Sequence, residues 1–306
     1  MKIFKIFKKR KKLVTHNGSF HSDDIFATAT LLLMLEKHGE RAKIIRTRDP
    51  KIIETGDYIY DIGGSYDADK NFFDHHQIGG AGKRENGIEY SSFGLVWKKF
   101  GAEICGSKEV ADEIENKLVV PVDANDNGID LFDLKSEVSP YTIYQFFLSF
   151  KPSWKDVSDQ KLLENFKKAV KIAKDLLKRE IKTAQDFVEG ERSIKICYEN
   201  SEDKRLVILD RKYRWEKVLS DYKEPQFAVF PRFADGVWGA ESVFVELPSF
   251  ERRKYLPKAW AGLRDEELQK VTGVKDAVFC HRGLFMVVAK SKEGAIKLAK
   301  LALEAN

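Results

Sequence analysis

The chain has 306 residues, 43% apolar and 33% charged, which allows packed cores and about two domains and excludes wholesale disorder. No apolar run nears the roughly 20 residues that span a bilayer, so neither a transmembrane helix nor a membrane partner is expected. The net charge of +5 is concentrated in MKIFKIFKKRKK, residues 1–12, with seven Lys/Arg and no acid; the remaining 46 basic residues face 48 acidic ones.

Residues 1–12 read as a solubilising tail, with a phosphate-steering arm for nucleic acid as the alternative. No apolar segment of the kind found in secretory signals follows these charges. KKLVTHN reads as the first strand. A helix is predicted over 23–37, with Ile25, Ala29, Leu32, Leu33 and Leu35 near one face. AKIIRT, DYIYDIG and NFFDHH read as strands, and 91–100 and 108–119 as helices. This alternation predicts an α/β fold, a doubly wound and mainly parallel sheet over residues 13–135. Residues 136–191 read as a helical linker, with helices over 140–150 and 158–189. From residue 192 to 306 the texture changes to a smaller α+β domain. Its strands are IKICYE, RLVILD, QFAVFPRF, WGAESVFVE, AVFCHR and LFMVVAK, with helices near 265–271 and 292–304. The cysteines, Cys105, Cys197 and Cys280, are far apart and form no CxxC, so a reducing, cytoplasmic setting is expected.

Four polar clusters fall at the ends of predicted elements: THNGSFHSDD, with His16, His21 and Asp23; YDIGG, with Asp61; FDHHQ, with Asp74, His75 and His76; and PVDANDNG, with Asp123 and Asp126. Each alone has an ordinary explanation. Asp23 or Asp24 suits a helix N-cap, and Asp61 before two glycines suits a turn. Their convergence argues otherwise. Four of the six histidines lie in two clusters, and a parallel sheet brings such loops to one edge. Histidines and carboxylates without thiolates suit Mn²⁺, Mg²⁺, Zn²⁺ or Fe²⁺. The donors outnumber the needs of one tetrahedral ion, which favours two ions, with Asp61 as candidate bridge. Such a pair activates water for attack on a phosphoryl group.

These motifs resemble the DHH phosphoesterase superfamily, which includes RecJ-type exonucleases, oligoribonucleases and family II pyrophosphatases. The nearer resemblance is to its melanocyte-proliferating-gene family, through THNGSFHSDD, IIRTRDP, YDIGGSYDADKNFFDHHQ, YSSFGLVWKKFG, VDANDNGI and LPKAWAGLRDEEL. It is dense in the N-terminal third and returns near residues 256–295.

The resemblance implies metal ligands at His16, His21, Asp23, Asp61 and His75. Asp123 and Asp126 are both candidates, with Asp123 favoured. It also implies an orienting carboxylate at Asp74 and a substrate-facing histidine at His76. His21 stands where the superfamily's first motif has an aspartate, and Val287-Val288-Ala289 stand where relatives can carry Gly-Gly-His. Arg46 and Arg48 are candidate phosphate contacts near the metals. Arg232, Lys258, Arg264 and His281 are candidates in the C-terminal domain, where Trp238 and Trp260 could stack bases or fill the core. Each of these cations is also readable as an ordinary solvated charge.

The expected activity is a metal-dependent phosphodiesterase, a 3′–5′ exonuclease on RNA or short oligonucleotides, with Mn²⁺ the preferred metal. Pyrophosphatase or small-nucleotide phosphatase activity is the alternative enzyme. A metal-stabilised RNA- or nucleotide-binding module is the non-enzymatic alternative. A homodimer is an open expectation.

Overall fold

The computed structural model describes residues 9–134, 136–232, 236–247 and 249–305. Most of the basic tail, residues 1–8, lies outside them, and Lys11 and Lys12 already belong to the first strand. The chain divides into two compact units, Met1–Gln185 and Asp186–Asn306.

The first unit opens with β1 (Lys11–Thr15), α1 (Ser22–Lys37), β2 (Ala42–Arg46), a short α2 (Pro50–Ile53), β3 (Tyr58–Tyr60), β4 (Tyr66–Asp67) and β5 (Phe72–Phe73). Next come α3 (Ser92–Cys105), α4 (Lys108–Ile114), a π-helical turn (Glu115–Val119), α5 (Val120–Asp126) and α6 (Ile143–Leu148). The long α7 (Asp159–Glu199) crosses the division between the units. The sheet order is β2-β1-β3-β5-β4, parallel throughout except for the β4–β5 pair. This is the expected mainly parallel α/β fold. The core joins Leu13, Leu31, Leu35, Tyr60, Phe73 and Leu95. Helix α1 is buried over most of its circumference, which accounts for its nearly uniform apolar content. On it, Phe26 stacks on Phe93 at 5.0 Å and meets Phe147 edge-on at 5.4 Å.

In the second unit, β6 (Leu206–Ile208), α8 (Trp215–Ser220), β7 (Phe227–Arg232) and β8 (Val237–Ser242) precede a 3₁₀ turn (Lys258–Trp260). Then follow α9 (Asp265–Thr272), β9 (Ala277–Cys280), β10 (Met286–Ala289) and α10 (Lys292–Glu304). The sheet order is β6-β7-β8-β10-β9, and only β6–β7 is parallel. Alternation along β7 sends Phe227 and Val229 to one core and Ala228 and Phe230 to the other, so the sheet is covered on both faces.

Two local expectations change. IKICYE is the end of α7, not a strand. Ile194, Cys197 and Tyr198 share a helical face against Trp215 and Phe230, while Ile196 is exposed. The predicted 108–119 helix runs on to Asp126 through the π-helical turn. Pro121 cannot donate to the carbonyl four residues earlier, and the wider turn ahead of it absorbs that break.

Replacing Phe26 with Ala removes a fully buried ring packed between two others. The expected loss is about 3–5 kcal/mol of unfolding free energy, measured by chemical denaturation.

Candidate metal centre

Strands β1, β3 and β5 are neighbours in the sheet, so the loops at their carboxyl ends lie side by side. The first delivers His16 and leads to His21, the N-cap of α1, with Asp23 and Asp24 in the first helical turn. The second delivers Asp61, and the third delivers Asp74, His75 and His76. Asp126 comes from the end of α5.

Asp61 has φ 55°, left-handed and strained for a residue with a Cβ, followed by Gly63 and Gly64 at positive φ. This turn aims the two Asp61 oxygens apart. Oδ2 lies 3.0 Å from His16 Nε2, and Oδ1 lies 3.4 Å from His75 Nε2. His16 Nδ1 meets the Asn17 carbonyl at 3.0 Å, which leaves Nε2 for Asp61 and for Asp24 Oδ2 at 3.4 Å. His75 Nε2 also lies 3.4 Å from Asp126 Oδ2 and 3.9 Å from Asp23 Oδ2.

Among the described residues three donor groups that could hold a cation result: His16–Asp24–Asp61, His21–Asp23–Asp126 and Asp61–His75–His76. Asp23 Oδ1 and Asp24 Oδ2 are buried acceptors without a hydrogen-bond donor. Native interiors rarely leave such atoms unpaired, and a divalent ion fits this donor set.

The charges make the same point. Burial, reinforced by Asp23 and Asp61, pushes the Asp126 carboxyl far above its ordinary range. Burial and neighbouring carboxylates also raise Asp23 and Asp24. Burial opposes the charge on Asp61, but hydrogen bonds from His16 and His75 hold it below the usual carboxylate range. Burial likewise disfavours the His16 imidazolium, yet Asp61 and Asp24 together push His16 up to about 9.

Asp74 holds the DHH turn together. Its Oδ1 accepts from the His75 backbone N–H at 2.8 Å and faces His76 Nδ1 at 2.8 Å, and its Oδ2 accepts from Gly64 N–H at 2.6 Å. The imidazole it orients is therefore His76, not His75. That hydrogen bond raises His76 despite burial, and the side chain is 62% exposed.

Asp123 turns away from the histidines. Its Oδ1 accepts from Ser91 Oγ at 2.5 Å and from Gly94 N–H at 3.0 Å, and its Oδ2 lies 2.7 Å from Arg84 Nη2. It clamps α5 to the start of α3. A Cβ at Gly94 would sit 1.9 Å from Asp123 Oδ2, so this approach requires glycine. The motif resemblance favours Asp123, whereas the geometry brings Asp126 to the histidines.

Arg46 is also placed differently from a substrate contact. Its guanidinium is buried over Phe166, donates to the Ser19 carbonyl at 3.0 Å and lies 3.9 Å from Asp24 Oδ2, backing the cluster. Arg48 is exposed, with Nη2 3.4 Å from His16 Nδ1. Arg232, Lys258, Arg264 and His281 belong to the second unit. Arg264 lies over Phe279 at 4.4 Å, and His281 Nδ1 accepts from Gly283 N–H at 3.0 Å beside Phe285. Arg232 closes β7, Lys258 opens the 3₁₀ turn, Trp238 packs partly buried on the core and Trp260 is a core residue. Sequence reasoning misses Asp24, whose only signal is its place beside Asp23. It also misses Ser92, which donates to Asp23 Oδ2 at 2.7 Å.

The family described as "Uncharacterised protein family (UPF0160)", MYG1_exonuc, matches residues 12–303. The MYG1 protein of Schizosaccharomyces pombe is 30% identical over 319 residues, 96% of this chain and 97% of that protein. The MYG1 exonuclease of Homo sapiens is 30% identical over 333 residues, 95% of this chain and 85% of that protein. Among solved structures, RecJ of Thermus thermophilus in complex with Mn²⁺ aligns with 97% of this chain and 52% of its own, at TM-score 0.26 and 11% identity.

Two expectations separate the carboxylates and test the charge balance. Asp126→Asn should weaken Mn²⁺ binding at least about tenfold in calorimetry, whereas Asp123→Asn should chiefly lower thermal stability by unbalancing partly buried Arg84. His16 is protonated below about 9 in the metal-free protein and must lose that proton to act as a ligand. Mn²⁺ affinity should therefore rise with pH from 6 towards about 9, with proton release at pH 7.5 seen as buffer-dependent heats.

Proposed function

The chain belongs to the MYG1_exonuc family, UPF0160, and from that membership we propose that it is a metal-dependent phosphodiesterase, a 3′–5′ exonuclease on RNA or short oligonucleotides. The observation that carries the reading is Asp61, whose two oxygens address His16 and His75 separately, beside two buried carboxylate oxygens, Asp23 Oδ1 and Asp24 Oδ2, that lack donors. His16, Asp24 and Asp61 would hold one divalent ion, and His75, His21, Asp23 and Asp126, with Asp61 shared, a second. Mn²⁺ is favoured over Mg²⁺, Zn²⁺ and Fe²⁺. Such ions, when bound, supply an acidified water and neutralise charge on a phosphoryl group.

The remaining work falls to side chains. Ser92 fixes Asp23, and Asp74 fixes the ring plane of His76. The hydrogen bond to Asp74 raises the His76 imidazole above its ordinary range, and the ring faces solvent, suited to donate to a phosphoryl or leaving oxygen. Arg48, exposed beside His16, is suited to a neighbouring phosphate. In the second unit, to which we assign a substrate-binding role, Arg264, Phe279 and His281 are suited to contact phosphate and base. The near balance of charge outside residues 1–12 favours short single strands over long duplexes, whose binding relies on many phosphate contacts. No helix among the described residues is long and apolar enough to cross a membrane, and a cytoplasmic setting fits the reading.

Mn²⁺ should elicit release of nucleoside monophosphates from a 3′-labelled oligoribonucleotide, and EDTA should abolish it. His75→Ala should lower kcat/KM by at least about 100-fold with the fold intact by circular dichroism. Orthophosphate release from pyrophosphate, with no attack on RNA, would instead assign the site to a pyrophosphatase.

A further inference from the structure

A cavity of about 300 Å³ is walled by the start of α1, by α5 and the segment after it, and by the start of α6. Chain connectivity sets it beside the carboxylate–histidine cluster. Ser22, in its wall, lies between His21 and Asp23, and Asn125, also in its wall, immediately precedes Asp126. Its other walls are chiefly aliphatic and aromatic, including Val122, Phe132, Ile143 and Tyr144.

Three features define what would fill it. First, the lining contains no Lys, Arg or His, and its one charged residue is Asp130, so it is unsuited to a phosphate. Second, the Ser22 hydroxyl is buried at 4% exposure and has no hydrogen-bond partner. Ser22, Asn125 and Asp130 give this mostly apolar slot a few polar residues, the pattern of a small-molecule site. Third, Phe132 is 48% exposed and Leu131 47% exposed, more apolar surface than a closed core segment leaves in water. The volume falls at the lower end of small-molecule pockets, which span roughly 300–1,000 Å³.

We propose that this cavity is a nucleobase subsite, taking the base of the 3′-terminal nucleotide while its phosphate meets the carboxylate–histidine cluster. The assignment rests on the phosphodiesterase reading above. Phe132 and Tyr144 supply apolar and aromatic contact to the base, and Asn125, Asp130 and Ser22 meet its polar edge. The subsite tolerates different bases, because contact with a ring face is available to all of them.

The test compares two oligoribonucleotides that differ only in whether the 3′-terminal ribose carries adenine or no base. With Mn²⁺, kcat/KM for the adenine-ended strand should exceed that for the abasic strand by about tenfold or more. Phe132→Ala, a change at a half-exposed position, should collapse this ratio towards one. Equal rates on the two strands in the unaltered protein would overturn the subsite, as would a ratio unchanged in the variant, while leaving the phosphodiesterase reading intact. If neither strand is cleaved, that reading fails, and binding decides the subsite alone. Adenosine monophosphate binding more tightly than ribose 5-phosphate in calorimetry, with the preference lost in Phe132→Ala, would support it. Equal binding of the two would overturn it.

Discussion

Buried negative charge is the constraint around which the first unit is built. Asp23, Asp24 and Asp61 are almost inaccessible, and Asp126 lies close enough for each to disturb the others. In a dry interior such a group of carboxylates is stable only if cations or protons compensate it. The metal-free protein does this with His16 and His75, with protons on carboxyls raised by burial, and with the Arg46 guanidinium behind Asp24. Asp23 and Asp24 also sit in the first turn of α1, where the helix dipole favours negative charge. A divalent ion would replace several of these partial compensations at once.

The scaffold follows from that demand. Parallel strands end at one edge, so β1, β3 and β5 each place one polar loop there without a long excursion. The left-handed Asp61 aims one carboxylate at two histidines. Asp74 ties the DHH turn to the Gly64 turn, so both loops hold their geometry together. Behind them, buried Asp123 and partly buried Arg84 and Glu115 form a second charged group, with Arg84 Nε 2.6 Å from Glu115 Oε1. It fixes α5 against α3 and thereby sets where Asp126 points.

Much of the scaffold was legible in the sequence because its signals are local. Short apolar runs, Leu-Val and Ile-Ile, marked β1 and β2, and helical spacing of apolar residues marked α1. Very short pieces such as β4 and α2 carry too few residues for any period. IKICYE was ambiguous for a different reason. Its apolar residues satisfy both a period of two and a helical face, and packing against Trp215 decides for the helix. In the site, spacing gathered the histidines and aspartates but did not show which oxygen faces which nitrogen.

By itself, the sequence determined the mainly parallel α/β character of the first unit and the residue types gathered at its loops, since both depend on local pattern and on strand ends sharing an edge. Only the tertiary structure shows that Asp126, and not Asp123, lies beside His75. They stand three apart on α5, separated by about 60° around the helix axis, an offset too small for spacing to resolve. The packing of α5 on α3 turns one towards Arg84 and the other towards His75. Tertiary packing likewise buried Arg46, made Asp24 part of the cluster and shaped the cavity beside it. Each depends on contacts between segments far apart in the chain, and no local pattern encodes the direction of those contacts.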